Sequence, residues 1–508
     1  MSERTGAPAS ARAWAGMALL ALPTFLLGLD VTVLYLVLPA MAAELAPSAT
    51  QTLWITDAYG FLLAGFLVTM GTLGDRVGRR RLLMIGIAAF AAVSVFAAFA
   101  PTAESLIAAR ALLGIAGATL MPSTLSLISN MFPDSRQRAV AIGVWATMFA
   151  GGMAAGPIVG GVLVDSFWWG AAFLVAVPTA AIVLLLGRAV LPEYRDPRGG
   201  RIDLISVVLS LAAILPIVYA IKHTAGYGPD ASAIVAVIVG TLAGWEFWRR
   251  QRRLDDPLMD VTLFRNKAFS VALTVLLVGL VGVGGSMYLV TQYLQLVEGL
   301  SPFLAGLWMG PPAMAMFAAA IGAPLLARRI RPGYIMGGTL AISLTGYLLL
   351  AMAGMDDEWL VAVGFAFVYL GLGAIAALGT DIVVGLAPAS KSGSAASLSE
   401  TVQELGIAIG VALLGSLTTA VYRSQLTIPD GLSDDEAAAL TDSLSATVSI
   451  ADQLPAGVLL QAQQAFTTGL NVASVIAGCA ITVVTVLCLR MLRHLPRLDQ
   501  THQPDHIS

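Results

Sequence analysis

Polar positions in this chain do not recur at strand spacing or along one helical stripe; they gather at the ends of fourteen long apolar runs. The runs fall at roughly 14–39, 54–73, 82–101, 105–128, 140–164, 168–191, 204–222, 231–248, 269–295, 303–327, 333–354, 359–386, 395–421 and 467–489. About 20 apolar residues is what an α-helix needs to cross the hydrocarbon core of a bilayer, so the pattern predicts an all-α polytopic membrane protein with fourteen transmembrane helices. The charged stretches LPEYRDPRGGRID (191–203) and RRQRRLDDPLMD (249–260) bracket runs seven and eight, dividing the helices six, two and six. The resulting plan is an N-terminus at 1–13, a six-helix bundle at 14–191, a linker with two inserted helices at 192–268, a second six-helix bundle at 269–493 and a tail at 494–508. The first run is too long for the h-region of a cleaved signal peptide, and Asp30 interrupts it.

Composition agrees, with 57% hydrophobic and only 12% charged residues. The basic residues then set orientation, because short loops rich in Lys and Arg stay in the cytoplasm. Of the 28 Lys and Arg, 25 fall on the side of the N-terminus, leaving Lys222 and Arg423 on the other side and Arg110 within a span. Both termini are therefore expected inside. The opposite loops are acidic, and the long one at 423–466 contains SDDEAAALTDSLSATVS, whose Ser-x-x-Glu opening is a helix-start pattern. With AGVLLQAQQAF behind it, a small outer helical hairpin is predicted. Cys479 and Cys488 both lie in the last run and are read as packing residues, not a disulfide.

A basic loop after a Gly-rich helix occurs at GTLGDRVGRRRLLMIG (71–86) and again, degenerate, at GAPLLARRIRPGYIMGG (322–338). Repeats of this kind place a substrate site between the halves near the midplane, where one half rocks against the other. In the first copy Gly74, Asp75, Arg76, Gly78, Arg79 and Arg80 exceed what a plain topology signal needs. Asp75 is expected to accept from an arginine and from helix-terminal N–H groups, closing the inner face. Arg110 costs about 2.5–3.5 kcal/mol at membrane depth, so it is expected to face the bundle interior and an acid, with snorkelling to the outer surface as the alternative. In GGMAAGPIVGG (151–161), Gly152, Gly156, Gly160 and Gly161 suit close helix packing, whereas Pro157 is not explained by packing.

From Gly71 to Leu83 the chain resembles the signature loop of the major facilitator superfamily, G-x-L-a-D-r-x-G-r-k-x-x-l, and RALLGIAGATLMP (110–122) resembles the family's R-x-x-x-G-x-x-G/A motif. The 151–161 stretch is similar to the family's antiporter motif, and LGLDVTVLYLVLP (27–39) to the first-span signature of its fourteen-span drug:proton antiporters. The segments 47–66, 109–128, 256–270 and 300–307 are similar to multidrug exporters of quaternary ammonium compounds and dyes. The resemblance implies proton-coupled export of lipophilic cations by alternating access, from a bacterial plasma (inner) membrane. It also implies a proton-transfer role for Arg110, with Asp30 or Asp57 as its acid, and an antiporter motif that seals and bends its helix against proton leak. No cofactor is expected besides the proton gradient, nor any nucleic-acid partner, and the expected state is a lipid-embedded monomer.

Four acids at membrane depth are the expected proton-coupling and cation-binding groups: Asp30, Asp57, Glu400 and Glu404. A headgroup-level position is the alternative for Asp57, and Asp381 is read as solvated at an inner helix end. Glu400 and Glu404, at i and i+4, share one helix face that is expected to point into the cavity opposite Asp30. Trp54, Tyr59, Met148, Tyr288, Trp308 and Met316, with Met121, Met309, Met314, Tyr293 and Phe317, are candidates for an adaptable wall with cation–π surfaces, or ordinary packing. Met316 stands where exporters of divalent cations can carry an acid, which favours monovalent cations.

No G-x-x-x-x-G-K-[ST] loop is present, so a secondary transporter is expected and not an ATPase or another enzyme. The alternatives are a dedicated exporter of one natural-product antibiotic or a lipid, and a non-transporting membrane sensor or scaffold.

Overall fold

A computed structural model describes residues 10–132, 134–195, 203–254, 257–259, 261–387, 392–429 and 432–495. Fourteen of its helices are long and apolar enough to cross a membrane: α1 (Ala11–Leu45), α2 (Ala49–Val77), α3 (Arg79–Ala98), α4 (Ala103–Met131), α5 (Val140–Ser166), α6 (Ala171–Val190), α7 (Leu204–Ala225), α8 (Ala231–Gln251), α9 (Lys267–Val297), α10 (Pro302–Ala327), α11 (Pro332–Ala351), α12 (Glu358–Gly385), α13 (Leu398–Gln425) and α14 (Val458–Met491). They match the fourteen apolar runs one for one. Two boundaries differ from expectation: α7 runs past Lys222, and α14 begins early enough to absorb AGVLLQAQQAF. The hairpin is built without that segment, from helices Asp434–Asp442 and Leu444–Ser449, the first opened by a capping box between Ser433 and Glu436. Tyr422 anchors it by donating to the Leu440 carbonyl (3.0 Å). Arg4, Lys391 and the tail from residue 496 lie outside the described residues.

The two bundles repeat one packing scheme. A Cβ added to Gly152 of α5 would lie 2.1 Å from the Phe25 carbonyl of α1, and one added to Gly410 of α13 would lie 2.1 Å from the Val281 carbonyl of α9. Likewise Gly114 of α4 meets the Tyr59 carbonyl of α2 (2.3 Å), and Gly373 of α12 meets the Met316 carbonyl of α10 (2.1 Å). Backbones this close require residues without a Cβ, so small residues fix which helices pair. The internal repeat, legible in the sequence only as two basic loops, thus relates α1–α6 to α9–α14.

Between the bundles, α2 packs on α13 and α5 on α10. These helices converge at the end that carries the acidic loops. There Gly161 abuts Pro302 and Phe303, Gly306 abuts Pro157, and Gly415 abuts Leu53. Ser301 donates to Asp165 (3.2 Å), and the Ala49 N–H donates to Asp442 of the hairpin (3.0 Å). The acidic end is sealed by these contacts.

The inserted helices lie outside the two bundles. Only 17% of α8's apolar window is buried, against 83% for α1. α7 covers the seam between the bundles, packing Val218 with Phe61 of α2 and with Ala408 and Ala412 of α13. An Asp203–Arg250 ion pair (2.9 Å) and a bond from Gln251 to Ser206 (2.7 Å) clamp the two inserted helices at their basic end.

Candidate functional site

Arg110 is 2% exposed and pairs with Asp30 of α1 at 2.9 Å. Its Nε donates to the Ile55 carbonyl of α2 (3.2 Å), and its guanidinium stands 4.6 Å from the centre of the Tyr59 ring. One buried cation therefore ties α1, α2 and α4 together, as a charge taken out of water requires. The snorkelling alternative is excluded, and of the two acids considered it is Asp30 that Arg110 takes.

Asp57 is 1% exposed, which rules out a headgroup-level position. It pairs with Lys222 of α7 at 2.8 Å, and the Lys222 ammonium stands 4.1 Å from the centre of the Trp54 ring. The sequence placed Lys222 outside the membrane, at the very end of run seven. It is in fact inside α7 and buried. The signal that could have found it is a lone basic residue on an otherwise apolar inserted helix.

A cavity of about 300 Å³ lies where the bundles meet. Val31, Tyr35, Thr56, Asp57, Tyr59, Gly60 and Arg110 form its wall on the first bundle, and Glu404, Ile407 and Ala408 of α13 form the other. Glu404 is 6% exposed, and among the described residues no hydrogen bond or ion pair reaches it. Two expectations need correcting here. Glu400 does not line this cavity but sits half-buried one turn toward the basic end, and Asp30 does not face the glutamates directly because Arg110 stands in between. Asp381 is exposed, as expected of a solvated helix end.

At the basic end Asp75 accepts from Arg79 (2.8 Å), and Arg79 also reaches the Pro122 carbonyl of α4 (3.5 Å). Gly78 has φ +114°, a conformation open to glycine, and a Cβ there would meet Glu193. Glu193, which sequence reasoning missed, accepts from the Arg80 N–H (3.1 Å), and the Arg80 side chain donates to the Leu191 carbonyl (3.0 Å). Arg76 is exposed. These contacts brace the first bundle internally, joining α2, α3, α4 and the segment after α6.

The glycines at 151–161 divide between two partners. Gly152, Gly156 and Gly160 lie against α1, where the Thr32 hydroxyl also donates to the Met153 carbonyl (2.9 Å), whereas Pro157 and Gly161 lie against α10 of the other bundle. Of the wall candidates, Tyr59 lines the cavity, Trp54 faces Lys222, and Tyr288 lines a second cavity of about 550 Å³ at the acidic end with Asp442. Met316 is packed in the core, and Met148 and Trp308 are half-buried. Met314 is 68% exposed and points away from the interior, and Tyr293 is buried, donating to Glu298 and to the Gly354 carbonyl (2.7 Å), so neither belongs to a wall.

Two repeated helical bundles joined at one end, with a charged cavity between them, define a polytopic membrane transporter. The chain belongs to the Major Facilitator Superfamily, whose model matches residues 20–411. It is 44% identical over 475 residues to the multidrug efflux pump LfrA of Mycolicibacterium smegmatis, covering 92% of this chain and 94% of that one. It is 32% identical over 483 residues to the methyl viologen resistance protein SmvA of Salmonella typhimurium (94% and 97% covered). Identity is 30% over 499 residues to the tetracenomycin C resistance and export protein of Streptomyces glaucescens (94% and 91% covered). Among solved structures, the fold is similar to that of a bacterial homolog of the human lysosomal transporter Spinster in an inward-facing, unoccupied conformation, with a TM-score of 0.70 at 17% identity, covering 98% of this chain and all of that one. These relatives and the fourteen spans make it a multi-pass protein of the bacterial inner membrane.

Proposed function

We propose that this transporter exports lipophilic monovalent cations, quaternary ammonium compounds and dyes among them, in exchange for protons. The observation that carries the reading is Glu404: a buried carboxylate, without a partner, on the one wall of the interbundle cavity that belongs to the second bundle. An ionised acid at membrane depth costs several kcal/mol, so a proton or a cation occupies it in each state of the cycle. Competition for that oxygen pair couples the two fluxes with no relay between them. Glu400, one turn nearer the basic end, is the next carboxylate on the same face and receives the cation before Glu404 does. The basic end is cytoplasmic by the charge rule, so both termini are inside and the sealed acidic end is the outer gate. The names of the multidrug and methyl viologen relatives support drug export, and the buried, non-acidic Met316 supports a single positive charge on the cargo.

The test is counterflow of labelled tetraphenylphosphonium in proteoliposomes under an imposed pH gradient. The cation should accumulate against its gradient in the wild type and should cease to respond to pH in Glu404→Gln. Cation movement that ignores the gradient in the wild type would end the proposal. The similarity to a tetracenomycin exporter favours one second reading, a dedicated natural-product exporter, which predicts transport of an aromatic polyketide in preference to any cation.

A further inference from the structure

Lys222 belongs to none of the motifs above, yet its surroundings are those of a bound organic cation. A carboxylate lies 2.8 Å from its ammonium and the centre of an aromatic ring 4.1 Å from it, with both charged side chains sealed from solvent. An aromatic face beside an acid is how proteins hold quaternary and alkyl ammonium groups.

The ammonium is also weakly held. Neither Asp57 oxygen nor the Lys222 Nζ stands in hydrogen-bond geometry with any described atom, although all are buried. A buried ion pair lacking such support scarcely offsets its desolvation, so it is poor evidence for a stabilising role. Asp57, moreover, is reached from two sides. Lys222 approaches it from α7, in the seam, while Asp57 itself lines the interbundle cavity with Glu404.

We propose that Trp54 and Asp57 form a second cation site and that Lys222 is its resting occupant, a tethered counter-cation that a lipophilic monocation displaces in order to bind Asp57. This rests on the cation-export reading above. It makes Lys222 a specificity-determining residue. A tethered ammonium acts at an effective concentration of about millimolar or more, so cations that gain nothing from the Trp54 face lose to it, while large apolar ones prevail.

The experiment uses the full chain in lipid nanodiscs, with tetraphenylphosphonium as the probe and reductive methylation of lysines read by mass spectrometry. The chain has three lysines, of which Lys267 is exposed and serves as the control. Lys222 should be unreactive without cation and methylated at saturating cation, with Lys267 unchanged. Lys222→Met should bind the cation at least tenfold more tightly, and Asp57→Asn added to it should remove that gain. If Lys222→Met does not fold, the labelling of the wild type decides alone. Lys222 that stays unreactive at saturating cation, or a folded Lys222→Met with unchanged affinity, overturns the proposal. In those cases Glu404-dependent binding in the same samples leaves the export reading intact, whereas a wild type that binds no cation at all removes both.

Discussion

Replacing Asp30 by Asn distinguishes a carboxylate that is already paired from one that is not. The substitution keeps the shape and removes the charge, leaving the buried Arg110 with the Ile55 carbonyl at 3.2 Å and the Tyr59 face at 4.6 Å. Breaking one side of a buried ion pair costs about 3–5 kcal/mol. The Asn side-chain oxygen, still within reach of the Arg110 Nη1, returns about 1 kcal/mol as a neutral hydrogen bond. What remains is about 2–4 kcal/mol, or a fall of about 30- to 900-fold in the folded-to-unfolded ratio. Glu404→Gln loses no partner and replaces a buried carboxylate by a more cheaply buried amide, so its stability should be unchanged or higher. Both variants should abolish proton-coupled export, for different reasons. Unfolding in mixed micelles titrated with dodecyl sulfate measures the stabilities, and Arg110→Met combined with Asp30→Asn should recover most of the loss. Equal midpoint shifts for the two single variants, or no recovery in the double variant, would refute the division of labour between these acids.

Two further predictions concern the sealed acidic end. A Cβ on Gly161 would come 2.5 Å from the Pro302 carbonyl, so Gly161→Leu should hold α5 and α10 apart; a cysteine placed at Ser301 should then react faster with an aqueous maleimide, and unchanged reactivity counts against the seal. Burial raises the Asp442 carboxyl above the ordinary range and outweighs its bond from the Ala49 N–H. A group whose docked pKa is raised holds its proton more tightly when docked. The hairpin should therefore dock more firmly as pH falls into the window just above the usual aspartate value of about 3.9, and less firmly as pH rises out of it. Amide exchange across 434–449 should be slower at about pH 5 than at about pH 7.5, and Asp442→Asn should erase the difference.

The helices were legible because the bilayer imposes length and hydrophobicity together, so each span announces itself without reference to its neighbours. Arg110 was legible for the same reason, a charge at membrane depth that demands a partner. Which acid it takes was not, because Asp30 and Asp57 both suit it until the bundle is packed. Glu193 looks like one more loop acid in LPEYRDPRGG, and only the close approach of Gly78 reveals it as a brace. Lys222 was lost to a boundary: with run seven ended there, its charge passed for the edge of a loop. The repeat was faint in sequence because a backbone contact conserves small size at a few positions and nothing else. Gly114 against Tyr59 and Gly373 against Met316 repeat one geometry with different side chains on the partner helix.

Charge balance at membrane depth limits the stoichiometry of the proposed cycle. Four acids, Asp30, Asp57, Glu400 and Glu404, stand against two bases, Arg110 and Lys222. Two negative charges are uncompensated when all six groups are ionised, and both lie on α13. On the return leg two protons neutralise them. On the export leg a monocation neutralises one, and releasing both protons for it would leave a bare carboxylate costing about 2.5–3.5 kcal/mol. The exchange should therefore be one proton for one monocation, whichever acid finally holds the cargo, and it should move no net charge. A potential of about 100 mV is worth about 2.3 kcal/mol per charge, enough for a roughly 50-fold change in accumulation if one net charge crossed per cycle. Proteoliposomes clamped with potassium and valinomycin, holding the pH gradient fixed, should show tetraphenylphosphonium accumulation by the protein that is indifferent to the imposed potential once passive uptake in protein-free vesicles is subtracted. A response approaching 50-fold would mean that a second proton enters per cation, and that α13 tolerates an unpaired charge which its surroundings give no means to support.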